Sequence, residues 1–146
     1  MADSSSTIQQ FDSPKESQRN EKHFEYLLVL DFEATCQDGR KISPQEIIEF
    51  PCAIIDTKNG FQTKDIFHKY VRPIHHPILT DFCTNLTGIT QDMVSTSDTF
   101  DTVFTQFRTW LENEHGLVGS YSEQTKDNFA FVTCGDWVLP LCVSRF

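Results

Sequence analysis

A chain of 146 residues with 38 % apolar residues and 13 phenylalanines is long enough to bury one core, and a single domain is its natural organisation. The 12 Lys and Arg against 21 Asp and Glu leave a formal charge of −9, which argues against a protein that holds nucleic acid by overall charge, because phosphate binding draws on a basic surface. A local site built around metal ions is compatible with that balance. Cys36, Cys52, Cys83, Cys134 and Cys142 form no C-x-x-C pair and several lie in apolar runs, so they are expected to be reduced core thiols rather than disulfides or zinc ligands. No stretch approaches the length of a membrane span, and the N-terminus lacks a secretory apolar region. The expected setting is the cytoplasm or the nucleus, with no membrane partner.

Residues 1–22 are rich in Ser, Gln, Asp and Lys, with Ile8 and Phe11 as the large apolar residues of their interior. Such a segment cannot bury enough surface to offset its ordering entropy and is expected to be a disordered tail. Order begins at Tyr26-Leu-Leu-Val-Leu-Asp-Phe-Glu-Ala-Thr35, an apolar run read as one buried strand. The polar segment 37–44 carries Asp-Gly and Pro punctuation and reads as a loop. Residues 46–56 are rich in β-branched and aromatic side chains and form the next strand, with Pro51 suggesting a bulge or an edge. Lys58-Asn-Gly60 supplies a hairpin turn, and residues 63–73 alternate Ile66, His68 and Tyr70 against Phe67, Lys69 and Val71, a half-buried strand ended by Pro73.

Helical signals follow. Thr80 is placed to cap a short helix holding Phe82, Cys83 and Leu86, with Gly88 as its stop, and residues 90–94 add one further turn. Asp98 or Thr99 opens the clearest helix, in which Phe100, Val103, Phe104, Phe107, Trp110 and Leu111 recur at spacings of three and four. That stripe is core against a sheet rather than a ligand box. Residues 113–127 read as a polar connection, and Phe129-Ala-Phe-Val-Thr-Cys134 as a returning buried strand. The sum is an α/β layered pattern, a mixed sheet flanked by helices.

Chemistry concentrates at Asp31 and Glu33. Two residues apart on one strand, they leave the same face of the pleat. Unpartnered, each would pay for desolvation and repel the other, raising one of the two pKa values; a divalent cation between them removes both costs. A magnesium- or manganese-type site is therefore expected, although D-x-E alone is a weak motif. Glu49 lies in the strand that should pair with this one and is a further acid without an assigned role.

Leu30-Asp-Phe-Glu-Ala-Thr-Cys36, Gln45-Glu-Ile-Ile-Glu-Phe-Pro51, Tyr70-Val-Arg-Pro73, Phe82-Cys83 with Leu86-Thr-Gly-Ile-Thr-Gln91, and Phe129-Ala-Phe-Val-Thr-Cys-Gly-Asp-Trp137 occur in this order with close spacing. Together they resemble the DEDDh 3′–5′ exonucleases and, among them, the Eri-type exoribonucleases. The resemblance covers residues 24–137 and implies an RNase H-like fold and two-metal hydrolysis of RNA from its 3′ end, with Mg2+ or Mn2+ as the two ions of a complete domain. Asp31 and Glu33 match the first family motif, whose acids are catalytic metal ligands. Leu86, Thr87 and Gly88 match a segment that lies beside the terminal nucleotide in relatives, and are substrate-binding candidates.

Departures from the pattern are equally specific. Val138 stands where an Asp, the third metal ligand, is expected after Trp137, and Asp136 is a poor substitute because strand neighbours point to opposite faces. Residues 138–146 read as a divergent tail, an intronic read-through or a truncated gene product being one explanation. The later His general base and final Asp have no counterpart, so the fold is expected to stop after its fourth strand. Residues 24–137 would then be the N-terminal portion of an exonuclease domain, and the chain a very poor catalyst. The alternatives are a non-catalytic RNA- or protein-binding truncated isoform and a product that does not fold stably.

Overall fold

The computed structural model describes residues 23–117 and 128–134. The leader 1–22, residues 118–127 and everything from Gly135 onward, Asp136 and Val138 included, lie outside the described residues.

The first strand is not continuous. Residues 26–35 were expected to run as one element, but they divide into β1 (Tyr26–Leu30) and β2 (Glu33–Ala34). Both pair antiparallel with β3 (Ile47–Asp56), Leu30 opposite Cys52 and Glu33 opposite Glu49. Phe50 and Pro51 of β3 face the gap between them. Proline has no N–H to donate, and its ladder with β4 (Gln62–Tyr70) runs unbroken through the Pro51–His68 pair. The expected bulge at Pro51 is thus replaced by an interruption of the neighbouring strand. Bulges do occur in β3 pairings, opposite Glu33–Ala34 and at Ile54–Ile55.

Alternation survives the interruption. Leu28, Leu30, Phe32 and Ala34 are buried, whereas Val29 and Asp31 are exposed and Glu33 is half-buried. The hairpin joining β3 to β4 turns where Asn59-Gly60 was expected to turn it. Asp56 Oδ1 accepts the backbone N–H groups of Lys58 at 2.9 Å and Asn59 at 3.1 Å, and Gly60 takes a φ of 69° that a side chain would resist. β4 lies along the opposite edge of β3 from β1 and β2.

Helix α1 (Asp81–Thr87) begins at Thr80, whose hydroxyl accepts the Cys83 N–H at 3.0 Å, and stops at Gly88 with φ 75°. Helix α2 (Gln91–Ser95) is one short turn, and α3 (Phe100–His115) follows. α3 runs to His115, so residues 113–115, expected in a connection, are its last turn. Their polarity belongs to a solvated helix end, and Gly116, at φ 64°, closes it. β5 (Phe129–Thr133) then pairs parallel to β1, completing a mixed five-stranded sheet in which β1 lies between β3 and β5.

α3 covers one face of that sheet. Phe50, fully buried, has the rings of Phe32, Phe107, Phe67 and Phe100 at centroid distances of 4.5, 4.9, 5.7 and 6.2 Å. This arrangement confirms the aromatic stripe as core. A smaller cluster joins Ile48, Cys83, Ile89 and Val94 with Cys36, Tyr70 and Leu79, seating α1 and α2 at one end of β3. Cys52 and Cys83 fill core space as expected, whereas Cys134 is exposed. On the opposite face, Val132, Val29, Ala53 and Ile66 form a row across four strands.

Phe50→Ala removes the ring that joins β3 to Phe32, β4 and α3 and should lower unfolding free energy by about 3–5 kcal/mol, read from urea denaturation. Thr80→Ala removes a cap that also donates to Cys36 O at 2.7 Å and should cost about 1–2 kcal/mol by the same measurement.

Candidate functional site

The acids gather where β1 gives way to β2. Asp31 follows the last paired residue of β1, and Glu33 opens β2, so both leave the face that carries Val29. Antiparallel pairing with the strand expected to pair here sets Glu33 directly opposite Glu49. Two carboxyl groups thus meet across the strands, with a third two residues upstream. Burial raises the Glu33 pKa above its ordinary value, and the charges of Asp31 and Glu49 push it further in the same direction. The carboxylate repulsion anticipated for the Asp31–Glu33 pair therefore falls on Glu33.

Glu49 is not a free ligand. Its Oε1 lies 2.6 Å from Nε2 of His68, an exposed ring that also makes an edge contact with Tyr70 at 5.1 Å. Reading along the chain did not pair His68 with Glu49, although the signal was present. The Asn59-Gly60 turn fixes a register that puts His68 opposite Pro51, and Glu49 is two residues from Pro51 on the same face.

α1 braces this end of the sheet. Thr80 Oγ1 donates to Cys36 O, and Cys83 Sγ lies 3.7 Å from Ala34 O, so the helix is fastened to the residues just after Glu33. The Cys36 thiol is pushed up to about 11 by burial and by its hydrogen bond with Cys83. It is therefore a neutral packing group at physiological pH rather than a thiolate ligand. Leu86, Thr87 and Gly88 form the other end of the same helix. Leu86 is 67 % exposed, an apolar side chain offered to solvent, while Thr87 Oγ1 donates to Cys83 O at 2.9 Å and receives Ile89 N–H at 3.1 Å. Gly88 has the left-handed backbone of a helix stop, so Thr87 and Gly88 both have structural duties here.

Other titratable groups are engaged elsewhere. Glu46 accepts the backbone N–H groups of Ile74 at 2.6 Å, His75 at 3.0 Å and His76 at 2.7 Å. Burial pushes its pKa up, but those bonds outweigh it and hold the carboxyl below its ordinary range. This clasp fixes the loop containing the adjacent histidines. Among the described residues, the group whose ligand atoms all approach within 4.8 Å of one another is Asp65, Glu114 and His115, a cluster the sequence did not single out.

Comparison with known proteins gives this geometry a family. The family described as Exonuclease (RNase_T) matches residues 28–143, beyond Trp137, where the sequence resemblance had been taken to end. The chain is 43 % identical over 128 residues to ERI1 exoribonuclease 2 of Xenopus laevis, a match covering 82 % of this chain and 18 % of that protein. It is 44 % identical over 118 residues to ERI1 exoribonuclease 3 of Homo sapiens, covering 81 % of this chain and 33 % of the relative. Among solved structures, the nuclease domain of 3′hExo, a DEDDh family member bound to rAMP, superposes with a TM-score of 0.70 at 34 % identity. That superposition covers 86 % of this chain and 62 % of the other. A structure of 3′-end specific recognition of a histone mRNA stem-loop by 3′-exonuclease gives the same TM-score of 0.70 at 34 % identity, over 82 % of this chain and 50 % of that one. The match thus spans 18 % to 33 % of the length of these curated relatives. With an RNase H-like sheet, an acid pair at the end of its central strand and a family match over most of its length, the chain belongs to the exonuclease family, in its DEDDh, Eri-type branch.

Proposed function

We propose that this domain serves 3′–5′ hydrolysis of RNA and that Asp31 and Glu33 are the metal-holding acids of its first motif. The observation that carries the reading is the raised pKa of Glu33 between Asp31 and Glu49, a concentration of negative charge that a divalent cation would relieve. Family chemistry of this kind depends on divalent metal, and the residues fit in charge, donor type and access: Asp31 is exposed and Glu33 half-buried, both offering hard oxygen ligands. The chemistry such ions supply when bound is a water of lowered pKa and neutralisation of charge at the leaving 3′ oxygen. In this chain Asp31 and Glu33 would hold them, and the Cys83–Ala34 and Thr80–Cys36 contacts of α1 would keep the strand end in position. Leu86, exposed at the far end of α1, would offer an apolar surface to the terminal base, with Thr87 and Gly88 shaping the helix stop beside it.

The RNA reading draws on relatives whose names describe exoribonucleases and recognition of an mRNA 3′ end. Val138 in place of the third acid, and no counterpart of the later His and Asp, lead us to propose that residues 1–146 by themselves turn over very slowly. Loss of a general base typically costs about 10²–10⁴ in rate, and loss of metal ligands adds to it. The test is degradation of a 3′-labelled single-stranded RNA with Mg2+ or Mn2+. Residues 1–146 are compared with a chimaera in which the segment after Trp137 comes from human ERI1 exoribonuclease 3. The chimaera should release nucleotides at least about 100-fold faster, and Asp31→Ala should abolish that release. Equal rates would overturn the proposed slow turnover; a chimaera whose activity is absent or survives Asp31→Ala would overturn the nuclease site.

The sign of the Glu33 shift gives a second test. A carboxyl whose folded pKa is raised binds its proton more tightly when folded, so its ionised form opposes folding above that pKa and the penalty disappears as pH falls through it. Without metal, Glu33→Gln should stabilise the chain at pH 7 by up to about 1 kcal/mol, a modest value because the group is partly solvated. The gain should vanish under acid conditions in thermal unfolding followed across pH.

A further inference from the structure

On the other face of the sheet, Asp65 and the end of α3 bring together ligands that the nuclease site does not use. Asp65 is two residues from Phe67 and shares its core-facing side of β4, which directs it toward α3. The bulge at Ile54–Ile55 lies opposite. α3 ends there, with Glu114 and His115 in its last turn and Gly116 reversing the chain.

The His115 side chain is only 7 % exposed, and its Nε2 lies 3.0 Å from Asp65 Oδ2. Its other nitrogen, Nδ1, is buried without a hydrogen-bond partner. A buried imidazole usually has both nitrogens satisfied, so this ring holds ligand capacity that the protein leaves unspent. The Asp65 and His115 donors together with a Glu114 carboxylate oxygen all fall within 4.8 Å of one another. Glu114 is exposed and also lines a groove of about 560 Å3 between β4 and α3, with Ile66, Gln106, Thr109 and Trp110 along it.

We propose that Asp65, Glu114 and His115 bind a first-row transition-metal dication, with Zn2+ the best match, and that the ion clamps the C-terminal end of α3 to β4. One imidazole with two carboxylates is the donor set of Zn2+ and its neighbours, whereas Mg2+ and Ca2+ select oxygen alone. The negative end of the helix dipole at the same point favours a cation. Three protein ligands leave a position for water, and because the site joins residues fifty positions apart, binding holds two elements together that the chain does not.

Trp110 reports on the site directly, its ring lying 4.7 Å from that of His115. In a Trp137→Phe background it is the sole tryptophan. Titration with Co2+ or Ni2+ should quench its emission, and Zn2+ should compete. The expected result is one Zn2+ per chain by calorimetry in the Asp31→Ala, Glu33→Ala double variant, with affinity falling at least about 10-fold on His115→Gln. Asp65→Asn with Glu114→Gln, both at partly solvated positions, should weaken binding similarly and guards against misfolding of the histidine variant. The proposal is overturned if Zn2+ binding is unchanged in both ligand variants. It is equally overturned if the double variant lacking Asp31 and Glu33 binds no Zn2+, since the ion would then belong to the nuclease acids.

Discussion

Five residues, Tyr26–Leu30, are paired on both edges, with β3 antiparallel on one side and β5 parallel on the other, and nearly every other feature is set by that double pairing. A strand paired on both sides cannot slip register without inverting every side chain on both neighbours. Its even positions are committed to the core beneath α3, and its odd positions, ending with Asp31, to the opposite face. The parallel partner demands a long crossover, which the three helices supply. The acids therefore follow directly on a strand that is held along both edges. That is where a catalytic group gains most from rigid support.

The interruption at Phe32 is a local compromise with that rigidity. Where the ladder lapses opposite Pro51, the backbone of Asp31 is released from strand pairing, and Asp31 is exposed while Phe32 still packs 4.5 Å from Phe50. An acid at such a break keeps solvent access without leaving its face. Glu33, re-entering the ladder opposite Glu49, bears more of the burial and the repulsion. Neighbouring carboxyls two residues apart thus differ in burial, Asp31 exposed and Glu33 half-buried.

Much of this was legible in the residues because the signals were local. The stripe from Phe100 to Leu111, the Thr80 and Gly88 caps and the Asn59-Gly60 turn each involve a few neighbouring positions whose chemistry dictates one conformation. Asp31 and Glu33 shared a face because alternation outlasts a short lapse in hydrogen bonding. What the sequence did not disclose were contacts made across register and topology. The lapse itself depends on a proline one strand away. The Glu49–His68 contact needs the hairpin register, and the Asp65–His115 approach needs the packing of α3 on β4. His115 was read as part of a polar connection because Glu112, Asn113 and Glu114 before it are polar, and polarity at the end of a helix has the same composition as a loop.

One consequence belongs to the row of Val132, Val29, Ala53 and Ile66. Val29 is 37 % exposed, Val132 40 % and Ile66 59 %, so water already lies against this side of the sheet while the chain is folded. Heat capacity of unfolding scales with newly exposed apolar surface, and surface already wet contributes little. A flatter stability curve follows, with less decline toward low temperature than a two-sided core of the same length would give. Among the described residues, this open row of the sheet thus leaves its trace in calorimetry as a small curvature.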